Sequence, residues 1–185
     1  LLIDEVDTFV RTYPEVDLVI DGSDDFVDLD KAEADIVIRA SHSPPYHWVG
    51  RRLFPWAISL YAHKDYLQNT SREDLRWIAP PGDGAVWRSW REQAPFPEAK
   101  TGLVISDIEG RFQALKRGYG MGLAACFMAD PDPDLVRLPG APVIEAAPFW
   151  ILTHPDFSGS VRAKKAVKFF AEALVSRKSL IQGKV

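Results

Sequence analysis

The chain has 185 residues, 46% of them apolar and 26% charged, the proportions of an ordinary globular chain that can bury a substantial core in one domain or two small lobes. Its formal net charge of -4 supplies no field that would draw it onto nucleic acid or an anionic membrane, so any DNA contact needs a separate basic module. One cysteine, Cys126 in the apolar run Leu123-Ala124-Ala125-Cys126-Phe127, excludes an internal disulfide and reads as a buried, inert thiol in a reducing compartment; no apolar run approaches the roughly 20 residues of a membrane span, and no leader pattern is expected.

The chain opens inside a helical pattern at Leu1-Leu2-Ile3, as if cut from something longer. Leu2, Val6, Phe9, Val10 and Tyr13 recur at helical spacing, with Asp4, Glu5 and Asp7 early, where the macrodipole favours negative charge. Pro14 ends this helix. Residues 16 to 20, Val-Asp-Leu-Val-Ile, are predicted to be a strand, residues 21 to 25 a turn-rich loop, and Ala34-Asp35-Ile36-Val37-Ile38-Arg39 a buried strand with a charge at its carboxyl end. Residues 41 to 52 carry Pro44, Pro45 and Gly50 among aromatics and read as loop.

Residues 56 to 62 form a strongly apolar strand candidate, Ser71-Arg72-Glu73-Asp74 a capped helical turn, and Trp77-Ile78-Ala79 a short strand. After the loop at 80 to 84, residues 85 to 94 place Val86, Trp87 and Trp90 on one helical face before Pro95. A strand near 103 to 105 precedes the clearest helix pattern. There Ser106 and Glu109 suggest a capping box, Ile108, Phe112 and Leu115 an apolar face, Lys116 and Arg117 the last turn and Gly118 the C-terminal cap. Residues 121 to 127 read as a buried strand, the run from Asp130 to Asp134 as a rigid acidic loop, 135 to 138 and 149 to 153 as strands, and Ser160 as the cap of a final helix. Repeated βαβ order predicts an α/β chain with a mostly parallel sheet, better divided into two lobes than one.

These segments together resemble the effector-binding domain of LysR-type bacterial transcription regulators, itself similar to type 2 periplasmic solute-binding proteins. Phe9-Val10-Arg11-Thr12-Tyr13-Pro14-Glu15-Val16 looks like the family's "F-x-x-x-Y-P-x-V" turn, and residues 34 to 39 like its "x-D-I-A-I-R" strand. Leu60-Tyr61-Ala62 with Asp65-Tyr66-Leu67 resembles the crossover strand and the helix after it, and residues 71 to 75 the approach to the second lobe. Gly118-Tyr119-Gly120-Met121-Gly122-Leu123 is similar to the "G-x-G-I-A" step, and residues 150 to 154 to the returning strand. The resemblance implies two Rossmann-like lobes with mixed, mostly parallel sheets joined by two crossover strands: lobe I at 1–60 and 148–185, lobe II at 61–147. It implies a cytoplasmic sensor that binds a small molecule between the lobes and forms a homodimer or homotetramer through helices 1–13 and 107–117. DNA would be reached only through an N-terminal winged helix-turn-helix, which has no counterpart here, as the family's first effector-domain strand has none. A solute receptor for a membrane transporter is the alternative reading, since fold alone does not separate the two.

Candidate effector contacts are Arg39, Ala40, Ser41 and His42 at the end of the 34–39 strand, and Gly82, Asp83, Gly84, Ser106 and Asp107 at two helix starts. Arg39 offers a bidentate partner for a carboxylate or an internal ion pair with an aspartate. Helix starts offer amides to an anion, but an acidic residue there can cap its own helix; capping is favoured for Asp107 and left open for Asp83. Gly118, Gly120 and Gly122 leave a helix and enter a strand, the reverse of a dinucleotide fingerprint, and read as a turn. His42, His47, His63 and His154 lack ligand spacing, so neither metal nor other cofactor is expected. No nucleophile elbow or acid–base pair is present, which argues against an enzyme.

Overall fold

The structure, a computed structural model, describes residues 1–22, 29–31, 33–82 and 85–184. In chain order the elements are α1 (Ile3–Thr12), β1 (Ile36–Ala40), β2 (Val49–His63), α2 (Lys64–Asn69), β3 (Arg76–Ala79), α3 (Ala85–Glu92), β4 (Lys100–Val104), α4 (Ile108–Lys116), β5 (Met121–Ala125), α5 (Cys126–Ala129), β6 (Leu135–Arg137), β7 (Ile144–Thr153), α6 (Val161–Ser176) and α7 (Lys178–Ile181). The chain divides into unit 1, residues 1–56 with 147–178, and unit 2, residues 57–146 with 179–185. Both β2 and β7 pass from one unit into the other. The described pairings are mixed, parallel for β3 with β4 and β5, antiparallel for β1 with β7 and for β2 with β5 and β6.

In unit 1 the strand order is β1-β7-β2. Leu29, Trp48 and Leu152 are buried with Val37 and Trp150 against them. Phe9 is fully buried, its ring centroid 4.9 Å from that of Tyr13 and 5.3 and 5.2 Å from those of Phe169 and Phe170. One side chain of α1 thus docks an aromatic cluster on α6, and Arg177 reinforces the contact by donating to the Leu1 carbonyl at 2.9 Å and pairing with Glu5 at 2.5 Å.

In unit 2, β2 is followed across the sheet by β5, β3 and β4, with β6 on its other side. The strands alternate between two cores, as a period of two requires. Leu60, Ala62, Trp77 and Ala79 join Trp87 and Trp90 of α3 in one core, while Ala57, Tyr61 and Ile78 join Ala114 and Leu115 of α4 in the other. α3 and α4 therefore cover opposite faces, and a sheet buried on both faces explains why these strands read as unbroken apolar runs.

Four sequence expectations are corrected. Residues 16–20 form no strand. Val16 and Leu18 lean inward, but Val19 is 91% and Ile20 58% exposed, and the Val16 amide donates back to Tyr13 rather than to a neighbouring strand; β-branched composition without a ladder partner does not make a strand. The segment 49–55, expected to start as loop, belongs to the 15-residue β2. The run 121–127 is a strand only to Ala125, and Cys126 starts a helical turn. Finally, the Ser106–Glu109 capping box does not form: Asp107 caps α4, as favoured for that residue, its Oδ1 accepting from the Gly110 amide at 2.6 Å, and Glu109 instead accepts from Gln113. The far end of α4 closes as predicted, with Gly118 at φ +67 and its amide and that of Tyr119 returning to Leu115 and Ala114.

Candidate functional site

Unit 2 contains a point where successive connections leave the sheet in opposite directions. From β3 the chain crosses one face through α3 to β4, and from β4 it returns over the other face through α4 to β5, on the far side of β3. The carboxyl ends of β3 and β4 are tied by the Ile105 amide donating to the Ala79 carbonyl at 3.0 Å. In open α/β sheets such a switch point is where ligands bind.

A cavity of about 230 Å³ lies there, lined by Ile78, Pro80, Pro81, Gly82, Trp87, Trp90, Arg111 and Leu123. Its origin can be traced through the sequence. Pro80 and Pro81 terminate β3 and cannot donate to a ladder, Trp87 and Trp90 stand one helical turn apart on α3, and Arg111 lies on α4. Trp87 is braced by Trp77, edge to face at 5.9 Å between centroids. The walls are largely hydrocarbon, and Arg111 is the cationic group among them.

Arg111 is fixed from one side. Its Nη1 donates to the carbonyl oxygens of Ile105 and Ser106 at 2.8 and 2.7 Å, the two residues that follow β4. Among the described residues no carboxylate lies within ion-pair distance of it, and Nε and Nη2 have no hydrogen-bond acceptor. Arg111 was missed by the sequence reading. The signal was present, because position 111 is three residues after Ile108 and four before Leu115, so a guanidinium interrupts the apolar stripe of α4.

The sequence-predicted residues fall in several places. Gly82 lines the unit 2 cavity. Asp83 and Gly84 lie outside the described residues. Ser106 contributes its carbonyl to Arg111, and the side chain of Asp107 is occupied as the α4 cap. In unit 1, Arg39 and Ala40 stand opposite Trp150 and Phe149 in the β1–β7 ladder. Ser41 is engaged through its backbone, its amide donating to the Pro148 carbonyl at 3.0 Å and its carbonyl accepting from Trp150 Nε1 at 2.9 Å. His42 is exposed.

Unit 1 also holds a carboxylate hub that spacing alone does not reveal. Asp30 accepts from His47 Nε2 at 2.8 Å and from Trp48 Nε1 at 3.0 Å, with His154 Nε2 at 3.5 Å. The hydrogen bond from His47, then that from Trp48, hold the Asp30 carboxyl below its usual range. Asp30 thus ties His47 and Trp48 to His154, the residue after β7; among the described residues no group of three or more His, Cys, Asp or Glu side chains could hold a metal ion. A second network, this one largely buried, lies in unit 2, where Arg137 pairs with Asp130 through Nη2 at 2.5 Å and Nε at 2.9 Å, and Tyr61 donates to Asp130 at 2.8 Å. Burial, and then hydrogen bonding with Cys126 and Asp130, push the Tyr61 hydroxyl far above its ordinary range; burial likewise pushes up the Cys126 thiol.

Comparison with known proteins gives a consistent result. The family model described as LysR substrate binding domain matches residues 1–175. No curated protein matches the chain. The regulatory domain of CrgA, a LysR-type transcriptional regulator from Neisseria meningitidis, superposes with a TM-score of 0.75 at 19% identity, covering 94% of this chain and 92% of that one. CrgA itself aligns at 0.77 and 20% identity over 94% of this chain, which spans only 64% of its length. The effector domain of the regulator AmpR of Pseudomonas aeruginosa aligns at 0.69 and 19% identity, covering 97% and 92%. No helix among the described residues is long and apolar enough to cross a membrane.

Proposed function

Since this chain belongs to the LysR substrate binding domain family, we propose that it is the effector-sensing part of a LysR-type bacterial transcription regulator and answers a small molecule by altering how an attached N-terminal helix-turn-helix sits on DNA. The observation that carries this reading is the unit 2 cavity, at the sheet's switch point and supplied with one fixed cation. Arg39, Ala40, Ser41 and His42 are further effector contacts on this reading. Signalling requires the effector to favour one conformation of the domain over another, since a ligand that binds both equally shifts nothing. On this reading the protein works in the cytoplasm and is not itself an enzyme.

The same reading includes a homodimer or homotetramer in which helix 1–13 of one chain packs on helix 107–117 of another, an isologous contact. Exposed apolar residues on both helices support it, with Ile3 74% and Ile108 53% accessible. The test is a thermal-shift screen of small acids, amino acids and sugars, followed by DNA binding of a full-length regulator with and without each hit. A hit that changes operator affinity is expected; hits that leave it unchanged would overturn the sensing role. Replacing Ile3 and Ile108 with glutamate should give folded monomers by light scattering, and an unchanged mass would remove these helices from the interface.

A further inference from the structure

We infer that the unit 2 cavity takes a small, largely apolar carboxylate, either a mono-aromatic or a branched aliphatic acid, with Arg111 holding the carboxylate and Trp87 and Trp90 walling the hydrocarbon part. The inference rests on the sensing reading for its biological meaning and extends it by naming the ligand class and the anchoring residue.

Size sets the first limit. Pockets for drug-sized ligands run to about 300–1,000 Å³, and an engineered cavity of about 150 Å³ accepts a benzene ring. At about 230 Å³ this cavity has room for one ring, or one branched chain, with a short acidic arm. The walls set the second. A sugar or polar amino acid would turn hydroxyl or ammonium groups against Ile78, Leu123 and two indoles, and a buried polar group left without a partner is costly.

Charge sets the third. A guanidinium beside an apolar cavity, with no carboxylate among the described residues paired to it, invites an anion, and with Nη1 fixed by two carbonyls the fork is already oriented before any ligand arrives. Nε and Nη2 are the edge that remains for a bidentate carboxylate. A phosphate ester carries more charge than one guanidinium neutralises, and the lining includes no second cation.

The experiment is isothermal titration calorimetry of the 185-residue protein with benzoate, phenylacetate and 4-methylpentanoate, each beside its neutral amide. At least one acid is expected to bind at least tenfold more tightly than its amide. Arg111→Gln should weaken that acid at least tenfold while leaving the amide unchanged, and Arg111→Lys should restore part of the loss. Equal affinity of acid and amide would overturn the inference, as would acid binding untouched by R111Q, or no binding of any acid at 10-fold excess of ligand in the millimolar range. Should R111Q fail to fold, the acid-to-amide ratio on the unaltered chain, read also by quenching of tryptophan fluorescence, decides alone. An acid that binds through Arg111 yet leaves the DNA affinity of a full-length regulator unchanged sinks the sensing reading and leaves the ligand class standing.

Discussion

Two short apolar segments of this molecule meet different fates. In unit 2, Trp77, Ile78 and Ala79 of β3 run between two parallel neighbours, β4 and β5, and all three are buried. In unit 1, residues 16–20 are richer in β-branched side chains, with Val16, Val19 and Ile20 against Ile78 alone, yet Val19 and Ile20 point into solvent. The difference lies outside both segments. Strand β3 has a ladder on each side and a helix over each face, whereas 16–20 has no strand partner among the described residues. Intrinsic preference proposes a strand, but neighbouring backbone and side chains decide whether it forms.

Substitution would sharpen this contrast. Trp77→Ala should cost about 3–5 kcal/mol, because it empties a fully enclosed site and removes the edge-to-face partner of Trp87; urea unfolding reads it, and a loss under about 1 kcal/mol would mean that the core collapses to fill the gap. Asp107→Ala should cost about 1 kcal/mol, since it strips the α4 cap from the Gly110 amide, and replacement by asparagine or serine should recover most of it.

For the Asp30 hub the expectation is a change of shape with pH. The folded-state carboxyl titrates below the ordinary value of 3.8, so its contribution is present above that value and fades as pH falls through and below it. Melting curves recorded across that range should show a shallower acid limb in Asp30→Asn than in the parent chain, and parallel limbs would take the hub out of the acid response. The smallest effect belongs to the contrasting segment. Val19→Ser should change stability by no more than about 0.5 kcal/mol, and a cost comparable to that of Trp77→Ala would break the comparison by revealing burial that this chain alone does not provide.

Much of the fold was legible because its signals are local. Pro14 ends α1, Ser160 accepts from the Ala163 amide at the head of α6, and Gly118 turns the chain out of α4. These depend on residues within a few positions of one another. The length of β2 was illegible because Pro44, Pro45 and Gly50 mark a loop by composition, while pairing across the sheet extends the strand back to Val49. The candidate site was legible only in part. Residue 82 belongs to it because strand ends are predictable places, whereas Arg111 reaches it from a helix whose position follows from the order of β5, β3 and β4. His47 and His154 meet at Asp30 across more than a hundred residues, a juxtaposition no spacing rule contains.

The family match closes at residue 175, but the backbone returns to unit 2 at Ser179. Gly183 is the reason this matters. It sits at φ +63, where an added Cβ would fall 2.8 Å from the Cys126 sulfur, and its carbonyl accepts from Arg137 Nη2 at 3.0 Å. The last residues therefore act as a plug over the chain's single thiol. Removing residues 179–185 would take that cover from Cys126, and faster alkylation of the thiol in the shortened chain is the expected outcome.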